Sequence, residues 1–228
     1  MHILEGDPEI ELHVRRHARA RRITLRVSAF DGKVSLTLPP TTKARDALAF
    51  ARAKRAWIEL QLKNVDAPGA LAIGASVPVE GRALTLVAGA GRRARIEGAH
   101  LVIPARHAAA PAPAVKAFLK LLARDRLAAA SDHFSGRLGI PYARMTLRDT
   151  RSRWGSCSSN GALMYSWRLV MAPPEVLAYV AAHEVAHLAQ MNHSAAFWAQ
   201  LERLMPDYRN HKDWLRHHGA ALQRIVLD

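Results

Sequence analysis

The chain has 228 residues, half of them hydrophobic, with 33 Lys and Arg against 19 Asp and Glu and a formal charge of +14. That balance sustains a packed core in one or two compact units, and it excludes a disordered, collagen-like or membrane-embedded chain because no apolar run reaches bilayer-spanning length. A single cysteine, Cys157, excludes an intramolecular disulfide and fits a reducing compartment.

The first residues, MHILEGDPEIELHVRR, carry acids where a signal peptide needs a basic start and a long apolar stretch, so the expected location is cytoplasmic, with no membrane partner. Residues 10 to 40 read as β. Ile23, Leu25 and Val27 alternate with polar positions, Phe30, Asp31 and Gly32 form a turn, and Val34, Leu36 and Leu38 alternate again, which predicts a hairpin. Pro39 and Pro40 end it, and Thr41 or Thr42 caps one helix running to about Asn64. Residues 66–74 form a Gly/Ala/Pro-rich connector. Short strands follow around 77–79, 84–87, 95–96 and 101–103, separated by glycines. A second connector, AAAPAPA at 108–114, leads to a long helix from about Ala114 to Leu138, stopped by Gly139 and Pro141. Met145 and Leu147 lie on a strand, and Leu163, Tyr165 and Trp167 on another after the Asn160-Gly161 turn. Pro173 and Pro174 open a further helix, with Glu175 in its first turn. The expected class is α+β, with a β-rich region over 1–110 that includes one helix, and a metal-binding catalytic domain over 111–228.

The chemistry concentrates in AHEVAHLAQMNHSAAFW, residues 182–198. His183 and His187 stand four apart, so on a helix both imidazoles reach one ion from the same face. Glu184 follows the first of them, where its carboxylate reaches a water on that ion. Catalytic zinc takes three protein ligands and keeps a fourth position open. His193 is the expected third ligand. A straight helix would carry it off the ligand face, so the helix must end first. Asn192 tolerates the left-handed conformation that closes helices, and Ser194 can cap the next one. Zinc suits the ligand set best, although imidazole also binds other transition metals.

Further segments extend the pattern: Arg151 to Cys157 (RSRWGSC), Trp167 to Val170 (WRLV), Asn192, His193 and Ser194, Phe197 and Trp198, and Leu204, Met205 and Pro206. With the HExxH segment these resemble the YgjP-like metallopeptidase family, a relative of the SprT-like and WLM zincins. Lys54, Arg55, Trp57 and Ile58 look family-like too. The resemblance implies a zincin-like C-terminal metallohydrolase domain with His193 as third ligand, beside a β-rich N-terminal part. The histidine spacing also equals the metzincin pattern, but Gln190 stands where metzincins carry glycine. A gluzincin would need a later glutamate ligand, for which Glu202 is the only loose fit and ranks below His193.

The expected function is a zinc-dependent metallohydrolase, a metallopeptidase first, in which Glu184 activates a zinc-bound water. Tyr165, Tyr208, His211 and Arg153 are candidate oxyanion donors that sequence does not rank. The strand around Leu163–Leu169 is a candidate edge for pairing a peptide. Arg148, Arg151, Arg153 and Arg168 crowd the predicted site in sequence. Arginine binds phosphate or carboxylate in two-point fashion, and members of the family are also described as UTP pyrophosphatases. A nucleotide substrate on Arg148, Arg151 and Arg153 is therefore the alternative reading, against structural pairing, for instance with Asp149. Gly155 is expected to let the backbone approach a ligand, and Cys157 to be a small buried residue. Phe197, Trp198 and Trp214 read as core. A DNA-associated protease ranks third. The charge and the SprT-like kinship favour it, but no helix-turn-helix, zinc finger or aromatic–basic motif supports nucleic acid, and the charge also follows from an Arg- and Ala-rich composition (ARARR, ARAKRA, GRRAR).

Overall fold

The computed structural model describes residues 2–28, 32–63, 71–150 and 152–227. The chain divides into two compact units, Met1–Gly69 and Ala70–Asp228. The first contains strands β1 (His2–Leu4), β2 (Ile10–Arg16), β3 (Thr24–Val27) and β4 (Val34–Leu38), then helices α1 (Ala44–Ala53) and α2 (Arg55–Lys63). The sheet order is β1-β2-β4-β3. Alternation sets its buried face: Val34, Leu36 and Leu38 of β4 are buried, and Ser35 and Thr37 between them are not. These side chains join Leu4, Ile10 and Leu12 beneath Ala47, Ala51 and Ile58 of the helices.

The expected hairpin forms, with Val27 opposite Val34 in antiparallel pairing. Phe30 and Asp31 of its turn lie outside the described residues, and Gly32 takes φ +67°. The helix expected as one piece is two, broken at Lys54, whose N–H bonds back to the carbonyls of Phe50 and Ala51. Beyond the break the Arg55 guanidinium donates to the carbonyls of Glu5 and Pro8, both at 2.7 Å. That tertiary anchor has no counterpart in helical periodicity.

The second unit opens with β5 (Ser76–Val79), β6 (Arg82–Gly89), β7 (Arg95–Glu97) and β8 (His100–Pro104), then the long helix α3 (Ala112–Leu138). Gly139 ends α3 in the left-handed conformation at φ +74°, its N–H bonding to the Ser135 carbonyl. Strands β9 (Arg144–Arg148), β10 (Gly155–Cys157) and β11 (Ala162–Ser166) follow, then a 3₁₀ turn (Trp167–Met171) and helices α4 (Pro174–Ala186), α5 (Ala195–Leu204) and α6 (Tyr208–Arg224). The two sheets run β5-β6-β8-β7 and β10-β11-β9. Among the described residues no helix is long and apolar enough to cross a membrane.

The α+β class holds. The boundary expected at 110 lies instead at 69/70, and the reason is a shared core. Val77, Val79, Leu84, Leu86, Leu101 and Ile103 of the small sheet pack in one cluster with Val115, Leu119, Ala123 and Leu127 of α3 and with Val176, Val180 and Val185 of α4. Helix α4 is buried on nearly every side, as a helix apolar all round must be.

Candidate metal centre

Helix α4 delivers His183 and Glu184 from its last turn. Pro174 occupies its first turn, where the missing N–H costs nothing, and Glu175 meets the positive helix end. The helix stops at Ala186, with His187 as its C-cap in right-handed geometry. The stop is therefore earlier than the Asn192 break expected from sequence. Among the described non-glycine residues only Glu80 has positive φ, so Asn192 is not left-handed. Leu188 and Ala189 tighten the exit by bonding back three residues, to Val185 and Ala186. Asn192 acts differently: its Oδ1 accepts the Ser194 N–H at 3.2 Å, an Asx-turn. Ser194 then caps α5, its hydroxyl accepting the Phe197 N–H. The cap was legible in sequence, and His193 stands one residue before it.

His183, His187 and His193 come together with their ligand nitrogens within 4.8 Å of one another, the only group of three or more potential metal ligands of this kind among the described residues. The Nε2 atoms of His183 and His193 are 3.1 Å apart. Two nitrogens bound tetrahedrally at 2.0–2.1 Å stand about 3.3 Å apart, close to that spacing. His187 Nδ1 donates to the Gln190 carbonyl at 2.9 Å, which leaves its Nε2 lone pair free. His183 Nδ1 is buried without a partner. Burial, and then the neighbouring imidazoles and Lys212, hold His183 down at about 3. Burial lowers His187 as well. Both rings are thus neutral donors, the form a metal takes.

Phe197 floors the site, its ring centroid 4.9, 4.5 and 4.8 Å from those of His183, His187 and His193. It is fully buried. Its spacing from the Ser194 cap marked a core position, and nothing in sequence marked its contact with all three imidazoles.

Glu184 is 6% exposed. Burial pushes its carboxyl up to about 8, opposed by the Cys157 N–H that bonds to it and by the Arg153 charge. Strand β10, not expected from sequence, runs beside it. A Cβ built on Gly155 would lie 2.6 Å from Glu184 Cγ and Oε1, well inside van der Waals contact. Gly155 therefore admits the Glu184 carboxylate, and it also lines the cleft in which a ligand would lie. Arg153, Gly155, Ser156, Cys157 and Met191 line the cleft together with the three histidines and Glu184. Cys157 is half-buried and free, and burial raises its thiol to about 11.

The expected peptide-pairing edge also moves. Strand β11 is central, between β10 and β9, so the free edge of this sheet on the cleft belongs to β10. Ser166 N–H bonds to Trp154 O, and Ser158 N–H to Ala162 O. Alternation in an antiparallel pair then turns the backbone groups of Gly155 and Cys157 outward.

The described arginines do not assemble. Arg168 is buried, donates to Asp149 at 2.7 Å and to the carbonyls of Leu222 and Ile225, and is a structural pair. Arg148 is exposed at the end of β9 and does not line the cleft. Arg151 lies outside the described residues. Of the three described, only Arg153 lines the cleft. Of the other candidate donors, Tyr165 is fully buried with its hydroxyl 3.0 Å from Ser131 Oγ, Tyr208 is buried against Trp198, and His211 sits 3.1 Å from Asp207. Glu202 pairs with Arg209 at 3.7 Å.

The sequence profile described as "YgjP-like, metallopeptidase domain" matches residues 21–218. Among solved structures, the chain is similar to the metallopeptidase zymogen abylysin of Pyrococcus abyssi, with 22% identity over 46% of this chain and 99% of that one, at a TM-score of 0.36. Among curated proteins none matches.

Proposed function

Because the chain belongs to the YgjP-like metallopeptidase family over residues 21–218, we propose that it hydrolyses peptide bonds with one zinc ion held by His183, His187 and His193, and that Glu184 is the general base. The observation that carries the reading is the convergence of three imidazole nitrogens within 4.8 Å beside a buried carboxylate. The donor set fits zinc, since the rings offer neutral nitrogen and one is already oriented by a carbonyl on its far side. A bound zinc ion supplies a Lewis acid that polarises a carbonyl oxygen and brings water toward a pKa of about 7.

The chain's own residues do the rest. Glu184 takes a proton from the attacking water at its carboxylate and returns it to the leaving amine. The Cys157 N–H holds the orientation of the Glu184 carboxylate. A substrate laid along β10 finds the outward N–H and C=O of Gly155 and the C=O of Cys157, whose N–H is held by Glu184, so the peptide joins the sheet as an added strand. Of the four candidate oxyanion donors only Arg153 lines the cleft. A cytoplasmic setting remains the reading from composition and the single cysteine.

Metal analysis of the purified protein should give about one zinc per chain. The Glu184→Gln variant should keep that zinc and lose peptide hydrolysis by about 10²–10⁴-fold. Full zinc in His193→Ala, or full activity in Glu184→Gln, would end the assignment.

A further inference from the structure

Arg153 lines two cavities at once. One is the catalytic cleft with Gly155, Glu184 and the histidines. The other is a neighbouring cavity of about 300 Å³ between the loop before β10 and helix α6, walled by Ser152, Trp154, Leu215, Arg216 and Gln223. Its floor is tight: a Cβ on Gly219 would come within 3.0 Å of the Trp154 ring. Among the described residues the Arg153 guanidinium has no hydrogen-bond or ion-pair partner, since only its main-chain carbonyl is engaged, by Thr150 Oγ1. Arg216 on the opposite wall pairs with Asp213 only loosely, at 3.5 Å, with both side chains largely in solvent. The one carboxylate lining the cleft is Glu184, which is buried. Arg153 and Arg216 thus flank the approach, and among the described residues no exposed acid in the cleft answers them.

Taking the peptidase reading as its basis, we infer that Arg153 is a specificity residue that receives a substrate carboxylate where the catalytic cleft opens into the α6 cavity, so that acidic peptides are the preferred substrates. The number of cations decides between anions. A nucleoside triphosphate spreads several charges over its phosphates, and sites for it gather several cations and backbone donors. Among the described residues one free guanidinium fork reaches the cleft, with a loosely held second on the far wall. One fork matches one carboxylate in two-point geometry. The carboxylate comes from an Asp or Glu side chain or from the peptide's C-terminus.

The test uses full-length, zinc-loaded protein and two series of fluorescent peptides. One has blocked termini and Glu or Asp at successive positions around the cleaved bond, against Gln or Asn at the same positions. The other compares free and amidated C-termini. Wild type is assayed for kcat/KM, and Glu184→Gln for binding by anisotropy. Carboxylate peptides are expected to be favoured about 10-fold in both readouts. Adding Arg153→Gln should bring the acidic-to-neutral ratio close to one, and Arg153→Glu should reverse it in favour of Lys-containing peptides. The ratio is the readout because Arg153 also acts on Glu184, so absolute rates fall with any peptide. A ratio indifferent to both substitutions overturns the inference, as does Arg153-dependent binding of UTP with no acidic-peptide preference. Arg153-dependent binding of acidic peptides that wild type does not cleave supports the subsite and sinks the peptidase reading instead.

Discussion

At Gly155 a single hydrogen atom where other residues carry Cβ lets β10 lie against Glu184. A methyl group there meets the carboxylate at 2.6 Å, and neither partner has room to retreat, because Glu184 is buried and bonded by the Cys157 N–H. Gly155→Ala should therefore cost about 1–3 kcal/mol of stability and displace the base, with peptide hydrolysis falling far more than zinc content; metal analysis beside kcat/KM checks this. Tyr142 offers a separate, pH-dependent case. Its hydroxyl donates to Asp132 Oδ1 at 2.7 Å, and that bond, then burial, raises the phenol to about 12. A group raised in the folded state contributes stability in full below its unfolded value, about 10, and loses it as pH climbs through 12. The stability gap between wild type and Tyr142→Phe, followed by denaturant titration, should be constant below pH 10 and close between pH 10 and 12.

The element that matters most is the turn from α4 into α5. Three devices place His193: the helix stop at His187, the Asn192 side chain closing on Ser194, and the Ser194 cap on α5. The cap is worth about 1 kcal/mol, and it would bear on metal binding because His193, the proposed third ligand, immediately precedes it. Ser194→Ala should lower zinc affinity about 3–10-fold through a loosened His193, while Ser194→Thr, which keeps the hydroxyl, should restore it. Competition with a chromophoric chelator measures both. Equal affinities in all three proteins would show that His193 is fixed by packing on Phe197 alone.

For the molecule as a whole, the boundary at 69/70 carries a prediction that separates it from one at 110. Leu84, Leu86, Leu101 and Ile103 share a core with α3 and α4, and fully burying each such side chain contributes about 1.5–3 kcal/mol. A chain beginning at residue 71 should unfold in one cooperative transition and bind zinc with the stoichiometry of the full protein. A chain beginning at residue 111 exposes Val115, Leu119 and Leu127 and should be insoluble or molten. Circular dichroism melts with metal analysis distinguish the two; a well-folded, zinc-binding 111–228 fragment would restore the boundary drawn from sequence.

Much of the site was legible locally. The four-residue spacing of His183 and His187, the proline start of α4 and the Ser194 cap depend on neighbours within a turn or two, where side-chain type and backbone preference act directly. So did the alternation that predicted β3, β4 and the four short strands β5 to β8. What sequence did not carry was set by partners far away along the chain. Strand β10 is three residues long, too short for a periodic signal, and exists because β11 pairs with it and Glu184 lies against it. The described arginines near the site in sequence went to different fates. Asp149 and the end of α6 captured Arg168, and Arg148 fell outside the cleft, leaving Arg153 alone of the described ones to line it. The residue types and spacing determined which atoms can ligate a metal. The tertiary fold decided which backbone edge, which arginine and which aromatic floor stand beside them, because those contacts join segments that local physics cannot bring together.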